Sequence, residues 1–203
     1  MRPVVVVHGI FDSAQRIDPL LRGLGARGVG PLAAIDFLPR FSTPPLEVFA
    51  RQLASFVAET LRVFGADELD LVGFSMGALV ARLYLQELAA GVHVRRFVSI
   101  SGPHRGTQLA RLAPAGWSWL AGVAQMKPQS PLLRRLGDDA SVLAPTRVHC
   151  LYTPYDAMIV PPTSGVLRSA SSVHRIPVLM HRLMLHDPRV HDRIAQILTQ
   201  DPT

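Results

Sequence analysis

Short β-branched runs alternate with stretches of helical periodicity from one end of the chain to the other, the pattern of a parallel sheet built from strand–helix–strand units. Six runs read as strands: residues 3–7, about 33–37, 69–73, 94–100, 146–152 and 172–178. Between the second and third, Leu46, Phe49, Leu53, Phe56, Val57, Leu61 and Phe64 share one helix face, which predicts a helix lying on the sheet. Leu79, Val80, Leu83, Tyr84 and Leu88 follow the third run at helical spacing, with Gly91 as the expected stop. Asp187 before Pro188 reads as the N-cap and first position of a closing helix that carries Val190, Ile194, Ile197 and Leu198. Residues 101–139 break the rhythm. Pro103, Pro114, Pro128 and Pro131 interrupt short apolar patches there, so an insertion at the rim of a site, a candidate cap or lid, is expected. The expected class is α/β, with one domain over residues 1–203, a predominantly parallel sheet of about six strands, and helices on both faces.

Composition narrows this picture. A 203-residue chain with 48% hydrophobic residues can bury a full core, which excludes a disordered chain. No apolar run approaches the roughly 18 residues of a membrane span. With the first strand starting at Pro3, no signal peptide is expected, and a cytoplasmic protein is. Cys150, the only cysteine, lies in the apolar run Val148, His149, Cys150, Leu151 and is expected to be a buried small hydrophobe. The net charge of +6 raises the question of an anionic partner. The arginines are scattered, with doublets only at Arg95/Arg96 and Arg134/Arg135, so a solvated basic surface is expected and nucleic acid is not. Weak contact with anionic lipid surfaces stays open. H-E-x-x-H and paired C-x-x-C patterns are absent, so neither metal nor organic cofactor is expected.

The chemistry centres on Gly73, Phe74, Ser75, Met76 and Gly77, a G-x-S-x-G that follows the apolar run 69–72 and opens a helical pattern. A turn this sharp strains the central serine and demands small residues two positions away on either side, where Gly73 and Gly77 stand. The helix after it aims backbone N–H groups and a positive dipole end at the place where an oxyanion would form. Val4 to Val7 lead into His8, Gly9, Ile10 and Phe11, a flexible turn at the carboxyl edge of the sheet, where open α/β folds bind ligands. The backbone N–H groups of Ile10 and Met76 are therefore the expected oxyanion donors, with His8 holding the loop.

The stretches 4–11, 72–77 and 151–160 resemble the small bacterial lipases and esterases of the α/β-hydrolase superfamily, in order and spacing over nearly the whole chain. The resemblance implies an α/β-hydrolase fold, a carboxylic ester substrate, small or lipidic, and oxyanion donors at Ile10 and Met76. It also implies that Ser101, Gly102, Pro103, His104, Arg105, Gly106 and Thr107 line the substrate cleft. Triad order in this fold is nucleophile, acid, histidine. Asp156, after the run 148–152 and shortly before Val160 and Pro161, is the expected acid; Asp138, Asp139 and Asp36 are its rivals. Among eight histidines, His8, His93, His104 and His149 precede the acid, His174 falls on a strand and His191 inside the last helix. His181 is the expected base and His186 the alternative. Met180 departs from the family, which usually has glycine before this histidine. Phe11, Phe74, His104 and Trp117 are the expected substrate contacts. The patch of Trp117, Trp119, Leu120, Val123 and Met126 reads equally as an apolar lid or as a small helix packed on the core.

The expectation is thus a serine esterase or lipase working through an acyl-enzyme on Ser75. An acyltransferase or thioesterase would use the same residues, and a binding protein that kept the fold and lost activity is the rival of another class.

Overall fold

The computed structural model describes residues 2–39, 43–113 and 120–200. Six strands, β1 (Val4–Val7), β2 (Leu32–Ile35), β3 (Glu68–Phe74), β4 (His93–Ile100), β5 (Arg147–Tyr152) and β6 (Ser172–Arg175), form one sheet in the order β2-β1-β3-β4-β5-β6. Every pairing is parallel. All four residues of β1 are buried, because both faces of a parallel sheet carry helices. The period of two sorts them: Val5 and Val7 enter one core and Val4 and Val6 the other.

Helices α2 (Leu46–Phe64) and α3 (Met76–Glu87) cover the first face, with Phe49, Leu53, Leu79 and Leu83 in its core. Helices α1 (Asp18–Gly25) and α6 (Pro188–Thr199) cover the second, through Leu20, Leu24, Ile194 and Leu198. The closing helix starts as its sequence predicts: the Asp187 carboxylate accepts from the Arg189 N–H at 2.9 Å, with Pro188 in the first turn. On α2, Phe64 leaves the expected face and is exposed, since Gly65 (φ 56) ends the helix there and the chain turns away.

Two strands differ from their sequence reading. β2 stops at Ile35, and Phe37 packs instead on Phe49, with ring centroids 4.7 Å apart. β6 stops at Arg175; Ile176 N–H still reaches the Tyr152 carbonyl at 2.9 Å, after which Pro177, lacking an N–H, cannot extend the ladder.

The described part of 101–139 is seated in the fold. It contains α4 (Ala121–Gln125) and α5 (Pro131–Leu136), and Met126, Leu132, Leu133 and Leu136 join the first core. Arg82 of α3, wholly buried, donates to the carbonyls of Leu136 at 2.7 Å and Gly137 at 2.9 Å, so it caps the end of α5. Burial lowers its guanidinium pKa to about 10. Cys150 is buried on β5, and burial pushes its thiol up, as suits a packing residue. Among the described residues no helix is long and apolar enough to cross a membrane.

Candidate active site

At the junction of β3 and α3, Ser75 has φ 55 and ψ −125, a conformation that L side chains rarely adopt. Its N–H donates to the Ile100 carbonyl at 2.9 Å, which locks the turn onto the next strand. The flanking glycines are required by contact. A Cβ at Gly73 would lie 2.5 Å from Ala78 Cα, and one at Gly77 would strike the His8 carbonyl and lie 2.5 Å from the Val7 carbonyl oxygen. Helix α3 therefore presses on the end of β1 with no room for a methyl group. Gly77→Ala is expected to cost at least about 1–3 kcal/mol, because only backbone can yield; the urea midpoint measures it, and an unchanged midpoint would contradict this packing.

The loop after β1 crosses the serine. A Cβ on Gly9 would sit 3.3 Å from Ser75 Cβ and 3.3 Å from the Phe74 ring, so the loop that carries Ile10 packs closely on the serine turn. His8 braces this loop, as expected of it: Nδ1 donates to the Gly9 carbonyl at 2.8 Å and Nε2 accepts from the Phe37 N–H at 3.2 Å. Non-glycine residues with positive φ stand just beyond three adjacent strands, at Phe11 (51), Ser75 (55) and Ser101 (47), which concentrates backbone strain at the carboxyl edge.

The same edge carries Asp156 and His181, the expected acid and base. Asp156 Oδ2 accepts from His181 Nδ1 at 2.7 Å, and both residues are buried, at 5% and 7% exposure. Asp156 Oδ1 accepts from the N–H groups of Met158 at 2.9 Å and Ile159 at 2.8 Å. Burial pushes this carboxyl up, but the bond and charge of His181 and the two N–H donors outweigh it and hold the group below its ordinary value. The His181 ring packs on Phe74, with centroids 4.8 Å apart, beside the residue that precedes Ser75. Its Nε2 is buried and free of hydrogen bonds, so no bond joins it to Ser75 Oγ in this state. Met180, where the family usually has glycine, is extended (φ −139, ψ 145), a conformation open to any residue, and the histidine loop follows without strain.

The rivals are engaged elsewhere. Asp36 accepts from the Ala14 N–H, Asp138 pairs with Arg168 at 2.7 Å, and Asp139 caps a short turn through the Ser141 N–H. His186 is exposed at the end of the 181–185 turn, His174 is on β6 beside Ser172, and His191 donates from α6 to the Leu185 carbonyl.

Of the expected substrate contacts, Phe11 is 45% exposed beside the serine loop. Phe74 faces inward as the seat of His181. His104, also expected as a substrate contact, is fully buried and bonded through Nε2 to Ser99 Oγ at 2.7 Å under α3. Burial lowers its imidazole well below the ordinary value, in keeping with a neutral core histidine. Trp117 lies outside the described residues. Among the described residues no group of His, Cys, Asp and Glu is gathered as a metal site would need.

An arginine and two threonines also join the loops of this edge. Arg182, next to the histidine, lies 3.6 Å from the buried Asp12 carboxylate on the β1 loop, and the hydroxyls of Thr107 and Thr153 tie the acid loop to its neighbours. Threonine and aspartate are ordinary loop residues, and only the tertiary structure brings these together.

Solved structures share this architecture. A lipase of Bacillus licheniformis in its propeptide form matches 100% of this chain and 51% of its own, with TM-score 0.80 and 20% identity. Lipase B of Aspergillus fumigatus matches 98% of this chain and 53% of its own, with TM-score 0.79 and 19% identity. A monoacylglycerol lipase of Paleococcus ferrophilus matches 97% and 95%, with TM-score 0.70 and 17% identity. The chain spans about half the length of the first two. At such identities the likeness speaks for the fold, which is that of the α/β-hydrolases. The family model for palmitoyl protein thioesterase matches residues 3–130, a span that holds the β1 loop and Ser75 and ends before Asp156. With that match over more than half of its length, the chain belongs to the palmitoyl protein thioesterase family.

Proposed function

We propose that the chain hydrolyses carboxylic esters through an acyl-enzyme on Ser75. The observation that carries this reading is the buried Asp156–His181 bond of 2.7 Å, with the imidazole packed on Phe74 beside the strained serine. In the reaction, His181 Nε2 takes the Ser75 proton as Oγ attacks the ester carbonyl. The N–H groups of Ile10 and Met76 receive the negative charge of the tetrahedral oxygen. The carbon–oxygen bond to the leaving group then breaks, and the leaving alcohol takes the proton from His181. Water repeats the sequence on the acyl-enzyme and releases the acid. Binding of substrate must first bring Ser75 Oγ to the open Nε2, a contact often loose in a free enzyme.

A thioester is the second reading, favoured by the family match: the same steps break a carbon–sulfur bond and release a thiol. A fluorophosphonate followed by peptide mass spectrometry tests both, since each predicts an adduct on Ser75. Paired oxyester and thioester substrates of one acyl chain then rank them. An unlabelled Ser75 in folded protein would leave the inactive binding protein.

The rim supports an apolar acyl group. Phe11, Leu112, Tyr155, Leu179, Met180 and Leu183 expose large apolar surface on loops that leave the carboxyl ends of four strands. With Arg182 among them and a net charge of +6, this face suits weak contact with an anionic lipid surface. The protein is expected to co-sediment with phosphatidylglycerol vesicles more than with phosphatidylcholine vesicles, and less at higher salt. Equal binding to both would remove the electrostatic part of this reading.

A further inference from the structure

The loop that carries Asp156 is fastened near both ends by a buried threonine hydroxyl. We infer that Thr107 and Thr153 are positioning residues that hold Asp156 against His181; this rests on the mechanism proposed above.

Thr153, wholly buried just after β5, donates from Oγ1 to the Val178 carbonyl at 2.5 Å. The same oxygen accepts from the N–H groups of Val178 at 3.2 Å and Tyr155 at 3.3 Å. Val178 lies three residues before His181, where the β5–β6 ladder has already ended at Arg175. Once Pro177 has broken the ladder, the Thr153 side chain replaces the missing strand pairing and joins the acid loop to the histidine segment.

Thr107 acts at the other end. It is buried after β4 and donates to the Met158 carbonyl at 2.7 Å. It accepts from the N–H groups of Val160 at 3.0 Å and Leu109 at 3.3 Å, and the Gln108 N–H adds a bond to the Val160 carbonyl at 2.8 Å. Each hydroxyl thus uses its one donor and two acceptor sites on backbone, the full capacity of the group. Met158, whose carbonyl Thr107 holds, also gives its own N–H to Asp156, so a shift of this residue moves the carboxylate directly.

Valine keeps the shape of threonine and removes the hydroxyl; serine keeps the hydroxyl. Thr153→Val and Thr107→Val are each expected to lower kcat on a p-nitrophenyl ester by about 10- to 100-fold, the scale of a 1 Å misplacement. KM should stay within about twofold, because no substrate contact is lost. Thr153→Ser and Thr107→Ser should recover most of kcat. Assays run well below each variant's melting midpoint keep a general loss of stability from mimicking this result. If Thr153→Val fails to fold, Thr107→Val tests the same claim from the other end of the loop. A kcat within about twofold of wild type in a folded valine variant, or serine variants no better than valine, would overturn the inference. In both cases a wild-type protein that labels at Ser75 leaves the proposed function standing, whereas a wild type that does not label removes that reading itself.

Discussion

Ser75→Gly is expected to abolish hydrolysis and at the same time to raise the stability of the fold. The first effect is loss of the proposed nucleophile, at least about 10⁴-fold in kcat by comparison with serine hydrolases in general. The second follows from φ 55 and ψ −125 at this residue, which a Cβ makes unfavourable by about 1–3 kcal/mol. Glycine adopts that backbone freely but adds about 0.5–1 kcal/mol of chain entropy to the unfolded state. The net gain is about 1 kcal/mol, or roughly 2–4 °C in a domain of this size. Ser75→Ala is the control: it also loses the nucleophile, yet its Cβ retains the strain. Calorimetry of the three proteins separates the effects, and a glycine variant no more stable than the alanine variant would show that the elbow stores no strain.

Asp156→Asn is expected to cost about 10⁴-fold in kcat, through the wrong histidine tautomer rather than through charge alone. The two oxygens of Asp156 have different surroundings. Oδ1 faces the N–H donors of Met158 and Ile159, so the amide oxygen of asparagine must take that place. The amide NH₂ then points at His181 Nδ1, which has to become an acceptor. The ring proton moves to Nε2, and the atom that should receive the Ser75 proton is already protonated. The substitution also has a pH signature. The carboxyl is held below its ordinary 3.8 in the folded protein, so its ionised form contributes stability above that value. The contribution is lost as pH falls through the lower folded value. The stability gap between wild type and Asp156→Asn should therefore be full above about pH 4 and narrow as the solution is acidified below it. A gap that widens toward acid would reverse the assigned direction.

What could be read from the sequence is what leaves a mark on local spacing. The elbow shows because Gly73 and Gly77 are forced by backbone contacts that any folded version of the turn must make. The Asp187 cap and Pro188 show because both act within one turn of the helix they start. Asp156 and His181 could be narrowed by chain order, and the structure brings these two together and leaves Asp138 and His186 apart. His104 lies deeper than its place in the chain suggests, for a tertiary reason. Its loop does follow β4, but Gly102 lets the chain fold back so closely that the imidazole reaches Ser99 beneath α3. The end of β6 leaves no mark in the sequence pattern, because the apolar residues Ile176 and Val178 continue it while Pro177 and the Thr153 hydroxyl redirect the backbone. Burial alone does not distinguish these two outcomes in a string of letters.

The strand order has a consequence for how the protein emerges during synthesis. After β2 has paired with β1, each later strand, β3, β4, β5 and β6 in turn, is laid on the same growing edge of the sheet. No strand has to be inserted between two already paired, so the nascent chain can be added to from one side only. The serine and its loop belong to the first part made, and the carboxylate and imidazole arrive with the last two strands. On the mechanism proposed above, a ribosome-bound intermediate would hold Ser75 without its partners, and reactivity would switch on when the final edge is laid down.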